Sequence, residues 1–174
     1  MSNYIDSLRG KSEIRIEMVC LGNICRSPMA AAVLHNKALS INSPKLIVTS
    51  SGTSGWHKGE GAHPLSQETW ESAGYSFEHI SRPFSVEIFD QVDLILPMDL
   101  TNRANILNGA RTAADKEKVV MLRAFDPNFA NIDPTSIEAE NLQVPDPWGE
   151  TIEAYRDVLV MIEDATDGLI AQLT

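Results

Sequence analysis

The chain has 174 residues, of which 43% are hydrophobic, and its formal net charge is -10. This length favours one domain with a substantial core. The negative charge disfavours nucleic acid as a partner because a polyanion would be repelled. No apolar run reaches membrane-spanning length, so we expect no membrane segment. After residue 125 the only basic side chain is that of Arg156, which concentrates the acidity at the C-terminal end.

The beginning of the chain resembles neither a secretory signal nor a regular element of structure. Residues 1–12 are polar and lack periodicity, so we expect a flexible N-terminal extension followed by a single domain over residues 13–174. We also expect a cytosolic protein. The two cysteines, Cys20 and Cys25, are too few and too close in sequence for a disulfide-stapled secreted fold.

Short apolar segments alternate with helical segments along the rest of the chain. Strands are predicted over residues 14–20, 45–49, 92–96 and 119–122, and helices over residues 28–39, 64–73, 101–107 and 150–173. Ser27 before Pro28 predicts an N-cap and a first helical residue. Residues 124–147 hold four prolines and are predicted to form a long loop. The alternation favours an α/β fold, in which a parallel sheet has helices on both faces.

The segment after the first strand contains the residues best suited to binding and catalysis. It lies at the carboxyl end of a strand, which is where ligands bind to parallel sheets. Residues 20–27 read Cys-Leu-Gly-Asn-Ile-Cys-Arg-Ser, and we call them the phosphate loop. Because they join a strand to a helix, their backbone N–H groups can surround an anion at the positive end of the helix dipole. Gly22 permits a close approach of the backbone, and Asn23 tolerates a left-handed conformation. Arg26 offers a planar pair of N–H donors to phosphate oxygens.

The cysteine at the start of this loop has the surroundings of a nucleophile. Nearby donors favour the thiolate form of Cys20, and a thiolate beneath a bound phosphoryl group can attack phosphorus. The hydroxyl of Ser27 can hydrogen-bond the sulfur and help it to leave in a second step. The alternative is a buried structural cysteine beside a surface arginine, which the succession of strand, loop and helix disfavours.

The phosphate loop and five further segments resemble the low-molecular-weight protein tyrosine phosphatase family. The resemblance covers about residues 14–173, and the segments follow one another in the same order as in the family. The five further segments are Ser50-Ser51-Gly52-Thr53 with Gly55-Trp56-His57, Phe89-Asp90, Asp93-Leu94-Ile95-Leu96 with Met98-Asp99, Leu122-Arg123 with Phe125-Asp126-Pro127, and Val144-Pro145-Asp146-Pro147-Trp148. The resemblance implies a flavodoxin-like, four-stranded parallel sheet and a two-step hydrolysis of phosphotyrosine or small aryl phosphates without a cofactor. It further implies a monomer that acts on phosphotyrosine proteins and binds phosphate or another oxyanion as product or inhibitor.

The resemblance also implies roles for three residues outside the loop. Asp146 matches the general acid, which protonates the phenolate leaving group and then activates water. Trp56 and Trp148 match the walls of the substrate cleft, where flat rings can enclose a phosphotyrosine ring. Without the resemblance, Asp146-Pro147 would be interpreted as a turn and the tryptophans as partly buried packing residues. The family often follows its general acid with two aromatic residues, whereas here Trp148 is followed by Gly149.

Further matched residues would support the loop. His79 is implied to hydrogen-bond Asn23, and Ser50 and Asp99 occupy similar supporting positions. Cys25 matches a second loop cysteine that can trap an oxidised Cys20 as a disulfide, with inert packing as the alternative. No metal site is predicted, since the remaining histidines have no ligand spacing: His35, His57 and His63.

Other functions compete with tyrosine phosphatase activity. Arginine phosphatases of the family commonly have Thr at the position of Ile24, and the bulkier apolar residue favours phosphotyrosine. A thiol-linked arsenate reductase would need a further cysteine pair, and no cysteine follows Cys25. A non-catalytic phosphopeptide reader or a thiol redox sensor has no need of both Cys20 and Asp146.

Overall fold

A parallel β-sheet lies between two layers of helices in the computed structural model, which describes residues 3–174. The strands are β1 (Glu13–Cys20), β2 (Lys45–Gly52) and β3 (Leu94–Pro97), and their order is β2-β1-β3. In the parallel register Cys20 pairs with Gly52 and Val19 pairs with Pro97. The carboxyl ends of the three strands therefore meet at one edge, and the predicted α/β class is confirmed.

Helices cover both faces of this sheet. They are α1 (Asn3–Leu8), α2 (Arg26–Ala38), α3 (Pro64–Ser72), α4 (Ile88–Gln91), α5 (Leu100–Asn108), α6 (Ala113–Glu117) and α7 (Ile152–Leu173), with 3₁₀ turns at Leu122–Phe125 and Ile137–Leu142. Within residues 3–174, no helix combines the length and the apolar character needed to cross a membrane.

The alternation of side chains along β1 explains the two layers. Ile14, Ile16 and Met18 are buried on the face covered by α2 and α7, where the larger core cluster lies. Val19 points to the opposite face and packs with Phe89 in a second cluster, which also contains residues of β3, α4 and α5. Burying one such side chain contributes about 1.5–3 kcal/mol, so the apolar strands determine how the layers stack.

The fourth strand, predicted over residues 119–122, is reduced to a single bridge. Val119 pairs with Ile95 in parallel register, and the N–H of Val120 donates to the Ile95 carbonyl. From Leu122 the chain turns into a 3₁₀ helix. Leu122 and Phe125 are fully buried in the larger core cluster, so their burial against α7 draws the chain away from the sheet edge.

Helix α2 begins earlier than predicted. Its first residue is Arg26 and its N-cap is Cys25, so the expectation of a Ser27 cap before Pro28 is wrong. The phosphate loop curls directly into the first helical turn, where Pro28 removes an N–H that has no partner within the helix. The hydroxyl of Ser27 is thereby free to face Cys20 instead of capping the helix.

The N-terminal segment is structured, in contrast to the expected flexible extension. Over residues 3–8 the chain forms α1, in which Ile5 and Leu8 are buried in the larger core cluster beside α7. The hydroxyl of Tyr4 also donates to the carbonyl of Asp93. Two apolar side chains in an otherwise polar segment were too weak a pattern to predict a helix. The first two residues lie outside the described part of the chain.

If α1 belongs to the folded domain, Leu8→Ala will destabilise it. Removal of a buried leucine side chain costs about 2–5 kcal/mol through lost apolar burial and the cavity that remains. We expect that loss in the free energy of unfolding measured by urea denaturation, whereas the exposed neighbouring change Ser7→Ala should alter it by less than about 0.5 kcal/mol. Equal stabilities for both variants would show that α1 does not contribute to the fold.

Candidate active site

A cleft of about 410 Å³ opens at the carboxyl edge of the sheet. The phosphate loop forms its floor, and Cys20 ends β1 within it. The cleft is lined by Cys20, Leu21, Gly22, Ile24, Cys25, Arg26, Trp56, His57, Asp146 and Trp148. Most of the residues predicted from the sequence to carry the chemistry therefore lie around one cavity.

Five carbonyl groups of the phosphate loop, at residues 20, 21 and 23–25, are bonded outward, away from this cleft. Backbone N–H groups of Thr53, Ser54 and His63 donate to the carbonyls of Cys20, Leu21 and Ile24 at 2.8–2.9 Å. The Asn23 carbonyl accepts from His79 and Ser81 at 2.7 Å, and the Cys25 carbonyl accepts from the Ser66 hydroxyl at 2.7 Å. In a trans peptide the N–H points opposite to the carbonyl, so these anchors turn the following N–H groups inward.

The inward amides are available to a ligand. Within residues 3–174, no protein group accepts a hydrogen bond from the backbone N–H of residues 22–26. These amides lie at the N-terminal end of α2, where the helix dipole favours negative charge. The arrangement is that of an anion-binding site whose floor carries the Cys20 sulfur.

Asn23 holds the centre of the loop in a left-handed conformation. Its φ is 55°, as the sequence predicted for this residue type. Its side-chain Nδ2 donates to the hydroxyls of Ser27 at 2.8 Å and Ser50 at 3.0 Å. Its Oδ1 accepts from the backbone N–H of Arg82 at 3.0 Å. The fully buried Asn23 side chain thus ties the loop to β2 and to the segment around residue 82.

The predicted contact between His79 and Asn23 is present. The Nε2 atom of His79 lies 2.7 Å from the Asn23 carbonyl, which can only accept, so Nε2 carries the proton. Burial lowers the pKa of His79 below its usual value, although the hydrogen bond to Asn23 opposes this effect. The imidazole is therefore a neutral donor near pH 7 and adds no positive charge to the loop.

The Ser27 hydroxyl is directed towards the sulfur of Cys20. The two atoms lie 3.0 Å apart. Because Asn23 Nδ2 already donates to the Ser27 oxygen, the hydroxyl proton is left for another acceptor, and Cys20 Sγ is the nearest one. A hydrogen bond of this kind stabilises negative charge on sulfur.

Arg26 is nearly buried at the side of the cleft. Its Nη1 donates to Asp99 Oδ2 at 2.7 Å and to the Val144 carbonyl at 2.9 Å, and its Nη2 lies 3.5 Å from Asp146 Oδ2. Burial opposes the charge, but the nearby Cys20, Asp99 and Asp146 outweigh it and raise the pKa of Arg26. Its buried Nε has no acceptor in the described part of the chain, so this donor is also available to an oxyanion.

Asp146 reaches the cleft because the chain before it is attached to the end of β3. The Val144 N–H donates to the Met98 carbonyl at 2.8 Å, and the Gln143 side chain accepts from the Leu100 N–H at 3.0 Å. Asp146 itself is partly exposed, and its Oδ1 accepts from the Trp148 N–H at 3.1 Å. This turn leaves Oδ2 facing Arg26 and the cleft.

Two exposed tryptophans flank the entrance. Trp56 and Trp148 are 76% and 64% exposed, which is unusual for such large apolar side chains and agrees with a role as cleft walls. His57 stands beside Trp56, against the backbone of Gly22, and its Nδ1 lies 2.7 Å from Glu60 Oε2. The sequence did not single out His57 as a lining residue.

Cys25 has different surroundings from Cys20. Its sulfur lies 3.5 Å from the hydroxyl of Tyr155, and burial raises the pKa of Cys25 to about 12, so it is a neutral thiol near pH 7. Both cysteines are free. A redox role for Cys25 stays a prediction. The sequence did not single out Tyr155 as a neighbour of the phosphate loop.

Other supporting residues were missed from the sequence. Ser81 and Ser66 anchor loop carbonyls, and Arg82 lies against Asn23 and against the buried carboxylate of Glu17. The available signal was Glu17, an acidic residue near the end of the strand that leads into Cys20. A buried charge needs a partner, but its identity depends on the tertiary structure.

The comparisons with known proteins agree with this geometry. The family described as "Low molecular weight phosphotyrosine protein phosphatase" matches residues 15–174. A low molecular weight protein-tyrosine-phosphatase of Streptomyces coelicolor is 37% identical over 90% of this chain and 92% of its own length. A solved protein tyrosine phosphatase from Entamoeba histolytica is 32% identical, with a TM-score of 0.80 over 92% of this chain and 96% of its own. An arginine phosphatase from Geobacillus stearothermophilus is 30% identical, with a TM-score of 0.75 over 92% of both chains.

The match covers nearly the whole chain and includes the strand, loop and helix that form the anion-binding site. The chain belongs to the low molecular weight phosphotyrosine protein phosphatase family.

Gly52 provides a test of the anion-binding geometry. A Cβ at this position would lie 2.7 Å from the Leu21 carbonyl oxygen and 2.9 Å from the Asn23 nitrogen, so Gly52→Ala must displace the loop. Overpacking of this kind costs about 1–3 kcal/mol, and we expect a loss of about tenfold or more in affinity for inorganic phosphate, measured by isothermal titration calorimetry. Gly55→Ala is the control, since its Cβ meets only Pro83 at 3.8 Å. Unchanged affinity in Gly52→Ala would contradict the inward-amide arrangement.

Proposed function

We propose that the protein hydrolyses phosphotyrosine in protein substrates, and small aryl phosphates, through a phosphocysteine intermediate on Cys20. The observation that carries the proposal is the thiol at the floor of a loop whose carbonyls are bonded outward and whose amides face the cleft. The amides and Arg26 can bind three phosphoryl oxygens there, so that the sulfur faces phosphorus on the side opposite to the leaving oxygen. The family membership supports the same reaction.

In the first step the Cys20 thiolate attacks phosphorus. A sulfur–phosphorus bond forms while the bond from phosphorus to the tyrosine oxygen breaks, and Asp146 gives its proton to the departing oxygen. A phenol has a pKa of about 10, so protonation makes its departure much easier. Asp146 is suited to this role by its position, because its carboxyl group lines the same cleft as the Cys20 sulfur.

In the second step water attacks the phosphocysteine. The Asp146 carboxylate accepts the water proton, the sulfur–phosphorus bond breaks, and inorganic phosphate is released. Cys20 leaves as a thiolate, which the Ser27 hydroxyl stabilises from 3.0 Å. Arg26 and the loop amides hold the same phosphoryl oxygens in both steps, so no metal is needed to balance their charge.

The walls of the cleft support an aromatic substrate. Trp56 and Trp148 line the cleft together with Ile24 of the phosphate loop, and all three contribute apolar surface. Flat rings and apolar side chains are suited to a phenyl ring.

All of these groups come from one chain, and both cysteines are free. We therefore also propose a monomer that acts in the cytosol.

Phosphoarginine is the second candidate substrate. A solved arginine phosphatase shares the fold at 30% identity, so the scaffold itself is compatible with either substrate. Ile24 favours phosphotyrosine because it presents a bulkier and more apolar surface than the threonine commonly found there in arginine phosphatases. Phosphotyrosine therefore remains the primary assignment.

A covalent intermediate predicts burst kinetics. With an aryl phosphate in rapid mixing, the reduced protein should release about one equivalent of phenol quickly and then turn over more slowly. Cys20→Ser should abolish both phases while leaving the circular dichroism spectrum unchanged. Absence of both phases in the unaltered protein, with phosphate binding retained, would instead identify a non-catalytic phosphopeptide reader.

The role of Asp146 predicts a dependence on the leaving group. Asp146→Asn should lower kcat/KM by about 10²–10⁴-fold for phenols of high pKa and much less for activated phenols, which depart without a proton. Asp133→Asn is a matched control, because Asp133 also precedes a proline and its Oδ1 accepts from the N–H two residues later. We expect no dependence on the leaving group there. Equal losses across the series for Asp146→Asn would remove it from the role of general acid.

A further inference from the structure

A carboxylate is buried in the middle strand, close to the cleft. Glu17 lies three residues before Cys20 on β1 and is fully buried. An ionised carboxylate in such a position is costly unless it is paired and hydrogen-bonded. The residues that pair with the Glu17 carboxylate therefore show which parts of the chain its burial holds in place.

Arg82 and Thr49 satisfy the Glu17 carboxylate. Arg82 Nη2 lies 3.0 Å from Oε1 and 2.9 Å from Oε2, and the Thr49 hydroxyl donates to Oε2. Arg82 Nε donates to the Ser50 carbonyl at 3.1 Å. The guanidinium is thus held by β1 and β2 together, and its position is determined by the sheet.

The backbone of Arg82 touches the phosphate loop. Its N–H donates to Asn23 Oδ1 at 3.0 Å, and its carbonyl accepts from the Gly52 N–H at 2.9 Å. Two other groups donate to Asn23, namely His79 and Ser81, but both bond its main-chain carbonyl. Among the described residues, Arg82 supplies the donor to the oxygen of the Asn23 side chain.

This donor decides which way the Asn23 amide faces. With Oδ1 on the Arg82 N–H, Nδ2 must face Ser27, so the Ser27 hydroxyl receives a hydrogen bond and directs its own proton to Cys20. If the amide were reversed, Oδ1 would accept the Ser27 proton, and Cys20 would lose its donor. The orientation of one amide therefore controls a hydrogen bond to the sulfur.

We propose that the Glu17–Arg82 ion pair is a positioning device for the proposed hydrolysis, acting on Cys20 through Asn23 and Ser27. It holds the Arg82 backbone where its N–H orients the Asn23 amide. The inference rests on the proposed function and goes beyond it, because neither residue lines the cleft. A buried ion pair is weak evidence for stability, since apolar side chains of similar size often replace one without loss. This property separates positioning from a merely structural role.

The decisive variant is Glu17→Leu combined with Arg82→Met. It removes both charges together and leaves no unpaired carboxylate in the core. We expect a melting temperature close to that of the parent and a kcat for an aryl phosphate about tenfold or more lower. The rate at which iodoacetate alkylates Cys20 is also measured at pH 6 and at pH 9 by peptide mass spectrometry. We expect the ratio of the rate at pH 6 to the rate at pH 9 to fall, because the thiolate has lost its donor. Inorganic phosphate affinity is measured in parallel by calorimetry.

The matched control removes another ion pair. Lys37→Met with Asp167→Leu deletes a contact between α2 and α7 on side chains that do not line the cleft. We expect its kcat and alkylation ratio to stay within about twofold of the parent. A folded Glu17→Leu/Arg82→Met variant with parental kcat and alkylation ratio overturns the proposal, whether or not its melting temperature changes.

Two single variants decide the matter if the double variant does not fold. Arg82→Lys keeps the charge but cannot bond Glu17 and Ser50 as the guanidinium does, and Thr49→Val removes one donor to Glu17 at nearly constant shape. Intermediate losses of kcat support positioning, and parental values in both overturn it. If the unaltered protein shows neither a burst nor turnover, the proposed hydrolysis fails. The ion pair is then judged by the alkylation ratio and phosphate affinity, which require no turnover.

Discussion

The outward bonding of the phosphate-loop carbonyls is the constraint on which the site depends. Each peptide unit is rigid, so a carbonyl that is held outside leaves the next N–H facing inside. One such hydrogen bond contributes only about 1 kcal/mol, yet several act on consecutive peptides and leave the loop little freedom to rotate. Their donors come from residues 53–54, 63–66 and 79–81, which meet only when the sheet and α3 are formed. The anion site is therefore prepared by the fold before any substrate arrives.

Two arginines occupy different positions in this arrangement. Arg26 stands at the cleft, where Asp99 and the Val144 carbonyl orient its guanidinium and leave other N–H groups for a ligand. Arg82 stands behind the loop, where Glu17 and the Ser50 carbonyl hold it. In both cases a carboxylate orients the planar guanidinium. Asp99 at the N-terminus of α5 orients Arg26, and Glu17 in β1 orients Arg82. The proposed binding of the phosphoryl group and the support of the phosphate loop thus fall to separate arginines.

The C-terminal part of the chain brings Asp146, the proposed general acid, to the cleft. After the bridge at Val119 the chain leaves the sheet, packs Leu122 and Phe125 against α7, and returns to the end of β3 through Val144. This path brings Asp146 opposite the Cys20 loop. The same burial that shortens the predicted fourth strand therefore positions the proposed general acid.

Local sequence determined the elements whose signal is local. The apolar strand ending at Cys20, the turn residues Gly22 and Asn23 and the helix that follows were predictable, because strand periodicity and loop chemistry act over a few residues. The helix start at Arg26 and the packed α1 were not predictable, since loop closure and long-range burial decide them. Likewise, the sequence showed an acidic residue at position 17 but not its pairing with Arg82, which is 65 residues away along the chain. Partners of buried charges are chosen by tertiary packing, because only the folded chain brings distant donors within hydrogen-bond distance.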